Sequence, residues 1–304
     1  MSPRRVFYER GAMILVIGAR STIGSALIAE LLARRESPRA FVTPEEEGEA
    51  SFLTSVDVAV GDLADPASLV RAMQGVDRVV ILSEPSPEQV KLNSNVVRVA
   101  KGMGARLVVR SSILGANSSS PATVIRDHGQ CDRYLEQSRV PYVILRPNLL
   151  LQSVVETTIP SIDAGGRFNV NAGAARISMV DARDVAAVAA VALTEAGHEG
   201  RRYDVTGPEA ISYSEVARRL TRAIGWPTTY VDTPDEAMRE RLLASGMDEW
   251  LVTAEIELFQ EYRRAGAFGY ASAVTEAVER LTGHAPRTLD NLISEWLPEG
   301  PPAA

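Results

Sequence analysis

Apolar residues in the first half of the chain fall into short unbroken runs, and between the runs they recur with helical spacing. Residues 13–17 (MILVI) form one such run, ended by Gly18, as a strand buried on both faces requires. In residues 25–35 the apolar Ala26, Leu27, Ile28, Leu31 and Leu32 share one helical face, and basic residues fill the last turn. The same reading predicts strands over 39–42, 56–60, 78–82, 106–110 and 142–145, with helices over 66–73, 88–102 and 127–138. Strands separated by helices of this length imply right-handed crossovers. The expected fold is therefore α/β, a doubly wound parallel sheet with helices on both faces.

Beyond Pro147 the rhythm changes. Gly165-Gly166 marks a turn, 176–180 reads as a short strand, and 184–193 as an Ala/Val-rich helix. A strand near 203–205 precedes a helix over 214–224, and the rest is mostly helical, including 238–244 and 250–262. Residues 151–304 thus form a smaller, α-rich C-terminal lobe, with some segments returning to the sheet. In open α/β sheets ligands sit at the C-terminal edge of the strands, next to such a lobe.

Between the first strand and the first helix lies Gly18-Ala19-Arg20-Ser21-Thr22-Ile23-Gly24. Gly18 permits a tight exit from the strand, and Gly24 lets helix and strand pack closely. Backbone N–H groups at the helix N-terminus, around Thr22 and Ile23, then face a pyrophosphate. With a strand before it and a helix after it, this turn marks a Rossmann-type NAD(P)-binding domain over residues 13–150. Asp62, in Gly61-Asp62-Leu63 after the third predicted strand, can accept from an adenine amino group or cap the next helix. Leu82-Ser83, after the fourth, lines the adenine-ribose side or is a plain loop.

Composition narrows the partners. A hydrophobic content of 45% supports a packed core, and 6% aromatics makes that core aliphatic. A formal charge of −7 argues against nucleic acid as a partner. Cys131 is the single cysteine, read as a small residue on a helix face, and His128, His198 and His284 lack metal-ligand spacing, so no metal is expected. No apolar run approaches the ~18 residues of a membrane span. Residues 1–12 read as a flexible extension and the protein as cytoplasmic.

The chain resembles the NmrA-like branch of the atypical short-chain dehydrogenase/reductases from Met13 to about Leu289. The resemblance is carried by GARSTIG (18–24), GDLADPASLVRAMQGVDRVV (61–80) and RLVVRSSILGAN (106–117). It continues in HGQCDRYLEQSRVPYVILRPN (128–148), VDARDVAAVA (180–189), YDVTGPEAISYSEVA (203–217) and LTGHAPRTL (281–289). It implies an NAD(P)-binding fold and, in many members, reduction of quinones, dyes, azo compounds or related small molecules. Other members sense the nucleotide and regulate a protein partner, which is the alternative reading. A homodimer is compatible with either.

The family usually has glycine where this chain has Ser21, which makes the turn less open. It often has arginine for the 2′-phosphate just after the second strand, where this chain has Thr43, followed by Glu45-Glu46-Glu47. Arg20 is then the remaining positive partner for a 2′-phosphate, or a solvent-facing turn residue. NADP is the expected cofactor, with NAD the alternative.

The Tyr-x-x-x-Lys pair of standard short-chain dehydrogenases is absent, since neither Lys91 nor Lys101 lies four residues after a tyrosine. By the resemblance, His128 falls where isoflavone-reductase-like relatives place a catalytic lysine, and it is the expected proton donor to a reduced substrate. The bland alternative is ribose binding or capping of the helix beside it. Ser112, matching the family's strand-end serine, orients a substrate carbonyl or satisfies loop backbone. Pro147-Asn148 are expected beside the nicotinamide, and Tyr134 in the core. In the C-terminal lobe Met238, Met247, Trp250, Phe259 and Phe268 are candidate pocket residues, although any one such residue is more often plain core.

Overall fold

Strand β1 (Met13–Ile17) buries four of its five residues, because strands cover both its edges and helices both its faces. The structure is a computed structural model that describes residues 8, 11–47, 56–82, 84–266 and 268–297. Among these residues a seven-stranded sheet has the order β3-β2-β1-β4-β5-β6-β8. The other strands are β2 (Ser37–Val42), β3 (Asp57–Val60), β4 (Val76–Ile81), β5 (Leu107–Ser111), β6 (Tyr142–Pro147) and β8 (Arg201–Val205). Neighbours from β3 through to β6 pair in parallel. In register, Ile17 lies opposite Phe41 of β2 and Ile81 of β4, so β1 and β4 end level and β2 runs one residue further. The order reverses between β1 and β4, which opens a crevice beyond their C-terminal ends.

The chain divides into two units. The first comprises Met1–Ser119, Arg126–Arg146 and Val185–Tyr203. Its core packs Leu15, Ile17, Phe41, Leu69, Val79, Ile81, Val96, Val108 and Ile144 together. Helix α1 (Thr22–Ala33) turns Leu27, Ile28 and Leu31 inward, and α3 (Pro66–Ala72) starts at Asp65, whose carboxylate accepts from Ala67 and Ser68. Of the residues 1–12 read as a flexible extension, 1–7, 9 and 10 lie outside the described residues, and Tyr8 is held in this unit. Its N–H donates to Thr194 O at 3.0 Å, its hydroxyl binds Glu199, and the Arg78 and Arg106 guanidinium groups lie over its ring. Helix α7 (Ala182–Thr194) is buried almost throughout, as an all-round Ala/Val sequence requires.

The second unit comprises Ser120–Ile125, Pro147–Asp184 and Asp204–Ala304. Its core joins Leu151, Phe168, Tyr213, Leu220, Phe259, Tyr262 and Leu292. The pattern misread two places here. Residues 176–180 form only isolated bridges, Ile177 with Ile211 and Val180 with Leu150, while β7 (Arg167–Val170) and β9 (Thr229–Asp232) pair in a small parallel sheet. β7 and β9 are four residues each, too short to show a period. Among the described residues no helix is long and apolar enough to cross a membrane, and no group of three or more His, Cys, Asp or Glu side chains is placed to hold a metal.

Candidate active site

At the crevice, the first unit contains a cavity of about 420 Å³. Ile17, Gly18, Arg20 and Ser21 form one wall, Phe41, Thr43 and Glu46 the next, and Leu63 and Leu82 follow. Gln89, Leu92 and Asn93, on α4 (Gln89–Gly102), close the far side with Glu84 and Ser86. Gly18 has φ +78°, and a Cβ there would enter the Leu82 carbonyl, while a Cβ on Gly24 would enter the Gly18 carbonyl. Both glycines are therefore demanded by backbone-to-backbone approach.

Ser21 caps α1: its hydroxyl accepts from Gly24 N–H at 3.0 Å and donates to Gly18 O at 2.8 Å. That closes the turn and occupies one N–H, leaving those of Thr22 and Ile23, which the helix itself cannot use, for an anion. At the next corner Glu46 accepts from Thr43 N–H at 2.8 Å and lies 4.0 Å from Arg20, so a carboxylate and a cation share that wall. The asparagine, glutamine and glycine backbone lining, one cation and a sizeable apolar floor suit a dinucleotide.

Behind α4 lies a buried polar cluster. Arg110, within β5, donates from Nε to Asn93 Oδ1 at 3.0 Å and from one terminal nitrogen to Asp132 Oδ1 at 2.5 Å. Its other terminal nitrogen lies 3.1 Å from His128 Nδ1. Asp132 Oδ2 also accepts from Ser112 Oγ at 2.9 Å and from Arg146 at 2.9 Å. Two cations and a serine around one carboxylate keep these buried groups satisfied. Asp132 and His128 lie one turn apart on α5 (Thr123–Gln137), which approaches closely because a Cβ at Gly129 would enter the backbone of Asn117 and Ser118.

Comparison with known proteins bears on this architecture. The model of an NAD(P)H-binding family matches residues 18–196, more than half the chain and spanning the glycine turn, α4 and α5. The chain belongs to the NmrA-like, NAD(P)H-binding family of atypical short-chain dehydrogenase/reductases. An NAD(P)H azoreductase of Xenophilus azovorans is 33% identical over 276 residues, 91% of this chain and 95% of the relative. The NADPH-dependent quinone oxidoreductase of Escherichia coli, in complex with NADPH, superposes with a TM-score of 0.83 at 25% identity, over 93% of this chain and 99% of that one. The triphenylmethane reductase of Citrobacter sp. shares the fold, with a TM-score of 0.81 at 23% identity over 94% of this chain and 100% of that one. As a member of this family the protein is an NAD(P)H-dependent oxidoreductase whose cofactor is NADP(H), with NAD(H) the alternative.

The structure places the sequence-derived family residues unevenly. Gly18, Arg20, Ser21, Thr43, Leu63 and Leu82 meet around the cavity, and Thr22, Ile23 and Gly24 start the adjoining helix. Asp62 does not line it: its side chain is exposed and accepts from Ala64 N–H at 2.8 Å, while Asp65 caps the helix. Ser83 lies outside the described residues. Asn148, in the second unit, donates to Ser178 Oγ at 2.9 Å and Ala271 O at 2.7 Å and accepts from Leu149 N–H at 2.9 Å, so its side chain ties loops together; Pro147 ends β6.

His128 stands in the second turn of α5, not at its start, so it caps nothing. Burial, and next the charge of Arg110, hold its pKa well below the ordinary 6.5, and the ring is neutral at pH 7. The Ser112 proton is committed to the Asp132 carboxylate, so the serine oxygen offers other groups only acceptor lone pairs. Tyr134, expected in the core, is exposed. In the second unit Met238 packs with Val252, Ile256 and Met247, Phe259 joins the aromatic core, and Phe268 is almost wholly exposed.

Sequence reasoning passed over Gln89, Asn93, Arg110 and Asp132. A signal existed: an arginine inside the apolar strand LVVRS must find a buried carboxylate, and Asp132 was one helical turn from His128.

Proposed function

We propose that this protein is a reductase that uses NADPH, or NADH, to reduce a small, fairly apolar acceptor of quinone, azo, enone or carbonyl type. The observation that carries the reading is the steric demand for glycine at 18 and 24 beside a cavity of about 420 Å³ at the sheet crevice. Support for the acceptor class comes from relatives named as an azoreductase and a quinone oxidoreductase, aligned over nearly their full lengths.

When bound, the cofactor supplies a hydride, so that NAD(P)H, a proton and the acceptor become NAD(P)⁺ and the reduced acceptor. The Gly18–Gly24 turn holds the pyrophosphate with backbone N–H groups. Thr43, Leu63 and Leu82 border the adenosine half, and Asp62, Pro147 and Asn148 have no cavity-facing contact that supports a direct role. His128 and Ser112 serve as fixed parts of the site, since the neutral ring has no imidazolium proton to give at neutral pH and the Ser112 proton is committed to Asp132. Water then delivers the proton that completes reduction. A cytoplasmic location, where reduced nicotinamide nucleotides are supplied, belongs to the same reading.

The test is consumption of NADPH and NADH by the purified protein with quinones, azo dyes, enones and aldehydes. Turnover of at least one class is expected. Tight NADPH binding without turnover of any acceptor would overturn the reductase reading in favour of a nucleotide sensor that acts on a partner protein.

A further inference from the structure

Gln89 is 1% exposed, yet it lines the cavity, and its Oε1 is buried with no hydrogen-bond partner. Its amide also lies 3.1 Å from His128 Nε2, nitrogen to nitrogen. Such a pair is a hydrogen bond only if one nitrogen accepts. The choice is settled on the other side of the ring. A guanidinium only donates, and Arg110 lies 3.1 Å from His128 Nδ1, so Nδ1 must accept and cannot carry hydrogen. The neutral ring then carries its proton on Nε2, which has to donate to Gln89.

An amide donor facing that N–H would be repelled. A half-turn of the amide puts its oxygen against Nε2–H and satisfies the acceptor that is otherwise orphaned. The NH₂ then occupies the unpartnered position on a residue of the cavity wall. Asn93, its neighbour on α4, has no such freedom: its oxygen accepts from Arg110 and its nitrogen donates to Gln89 O at 3.0 Å.

We propose that Gln89 is a cofactor-binding residue, its amide N–H directed to a ribose or phosphate oxygen of the dinucleotide, and that His128 is the positioning residue that fixes that direction. Arg110 sets the His128 tautomer, His128 sets the Gln89 amide, and Gln89 presents the donor. This rests on the dinucleotide occupying the cavity, and it assigns the histidine a role in binding rather than in proton transfer.

The first test is nitrogen NMR on wild-type protein labelled at histidine, with His128→Gln used only to assign the signals. A pyridine-type Nδ1 and a pyrrole-type Nε2 are expected at neutral pH, and a protonated Nδ1 overturns the proposal. The second is NADPH titration followed through glutamine side-chain signals, in which the Gln89 NH₂ resonance should shift and an unmoved resonance overturns it.

With variants, Gln89→Leu should weaken NADPH about 5-fold, the loss of one hydrogen bond, raising KM with little change in kcat. His128→Gln should weaken it similarly, and the double variant no further than Gln89→Leu alone. Full additivity, or wild-type affinity in Gln89→Leu, rejects the relay. If wild type fails to bind NADPH at all, the cofactor reading falls too, whereas intact wild-type binding confines any failure to Gln89 and His128.

Discussion

The glycine turn lines one wall of the cavity and the Arg110 cluster reaches another through Asn93 and Gln89, and they are held by opposite means. The turn is made by backbone: Gly18, Gly24 and the Ser21 cap leave no room for side-chain choice. The cluster is made by side chains from β5, β6, α4 and α5, with Arg110 and Asp132 almost fully buried and each satisfied by the other elements. A backbone-built site is tolerant of its surroundings and intolerant at its own few positions. A side-chain network spreads its dependence over every member, so losing one leaves the others exposed to desolvation costs.

The most severe break of the contrast is Asp132→Ala, which leaves Arg110 buried without a counter-charge. Urea unfolding should show a loss of about 3–5 kcal/mol, and a loss below 1 kcal/mol would mean water repairs the gap. Gly18→Val acts on the other side: its Cβ meets the Leu82 carbonyl, so the turn must shift locally, and with the helical content checked by circular dichroism, calorimetry should show NADPH binding about 100-fold weaker, roughly 2.7 kcal/mol. Equal affinity would remove the turn from the cofactor site.

A pH series sharpens the comparison. The unfolded chain protonates His128 as pH falls below about 6.5, whereas the folded ring, its pKa lowered by burial and then by Arg110, does not. The folded state thus loses stability on acidification, by about 1.4 kcal/mol per pH unit from this one group, and none above that range. His128→Gln should remove that component, and parallel curves for wild type and variant would contradict the buried neutral ring.

The smallest expected effect is at the rim. Arg20 is partly exposed and already beside Glu46, so Arg20→Ala should lower NADPH affinity on the order of 5-fold and leave NADH affinity unchanged. Glu46→Gln should move NADPH affinity the other way. Binding curves that do not separate the two cofactors would take this corner out of 2′-phosphate recognition.

These two regions also explain what could be read without coordinates. The strands from Met13 to Pro147 and the turn at Gly18 were legible because their cause is local: apolar runs, and glycines between a strand and a helix. Helix α5 begins at Thr123, four residues before the sequence pattern starts it, so His128 stands in its second turn and not at its start. The Arg110 cluster joins residues 89 to 146 through side-chain geometry that no short window contains. In the second unit, β7 and β9 meet across 62 residues of chain, from Arg167 to Thr229, and four-residue strands give no alternation to detect.

Gly129 limits how this protein can diverge. The walls of the cavity can be varied one residue at a time, because lining side chains such as Leu63 and Leu92 are only half-buried. Any side chain at 129 would instead lever α5 away from the 117–118 backbone, carrying His128 and Asp132 with it in a single movement. Variation of the cofactor cavity therefore has a wide path along the rim and a closed one through this helix. A saturation library sorted for folded protein should recover many residues at 63 and 92 and glycine alone at 129.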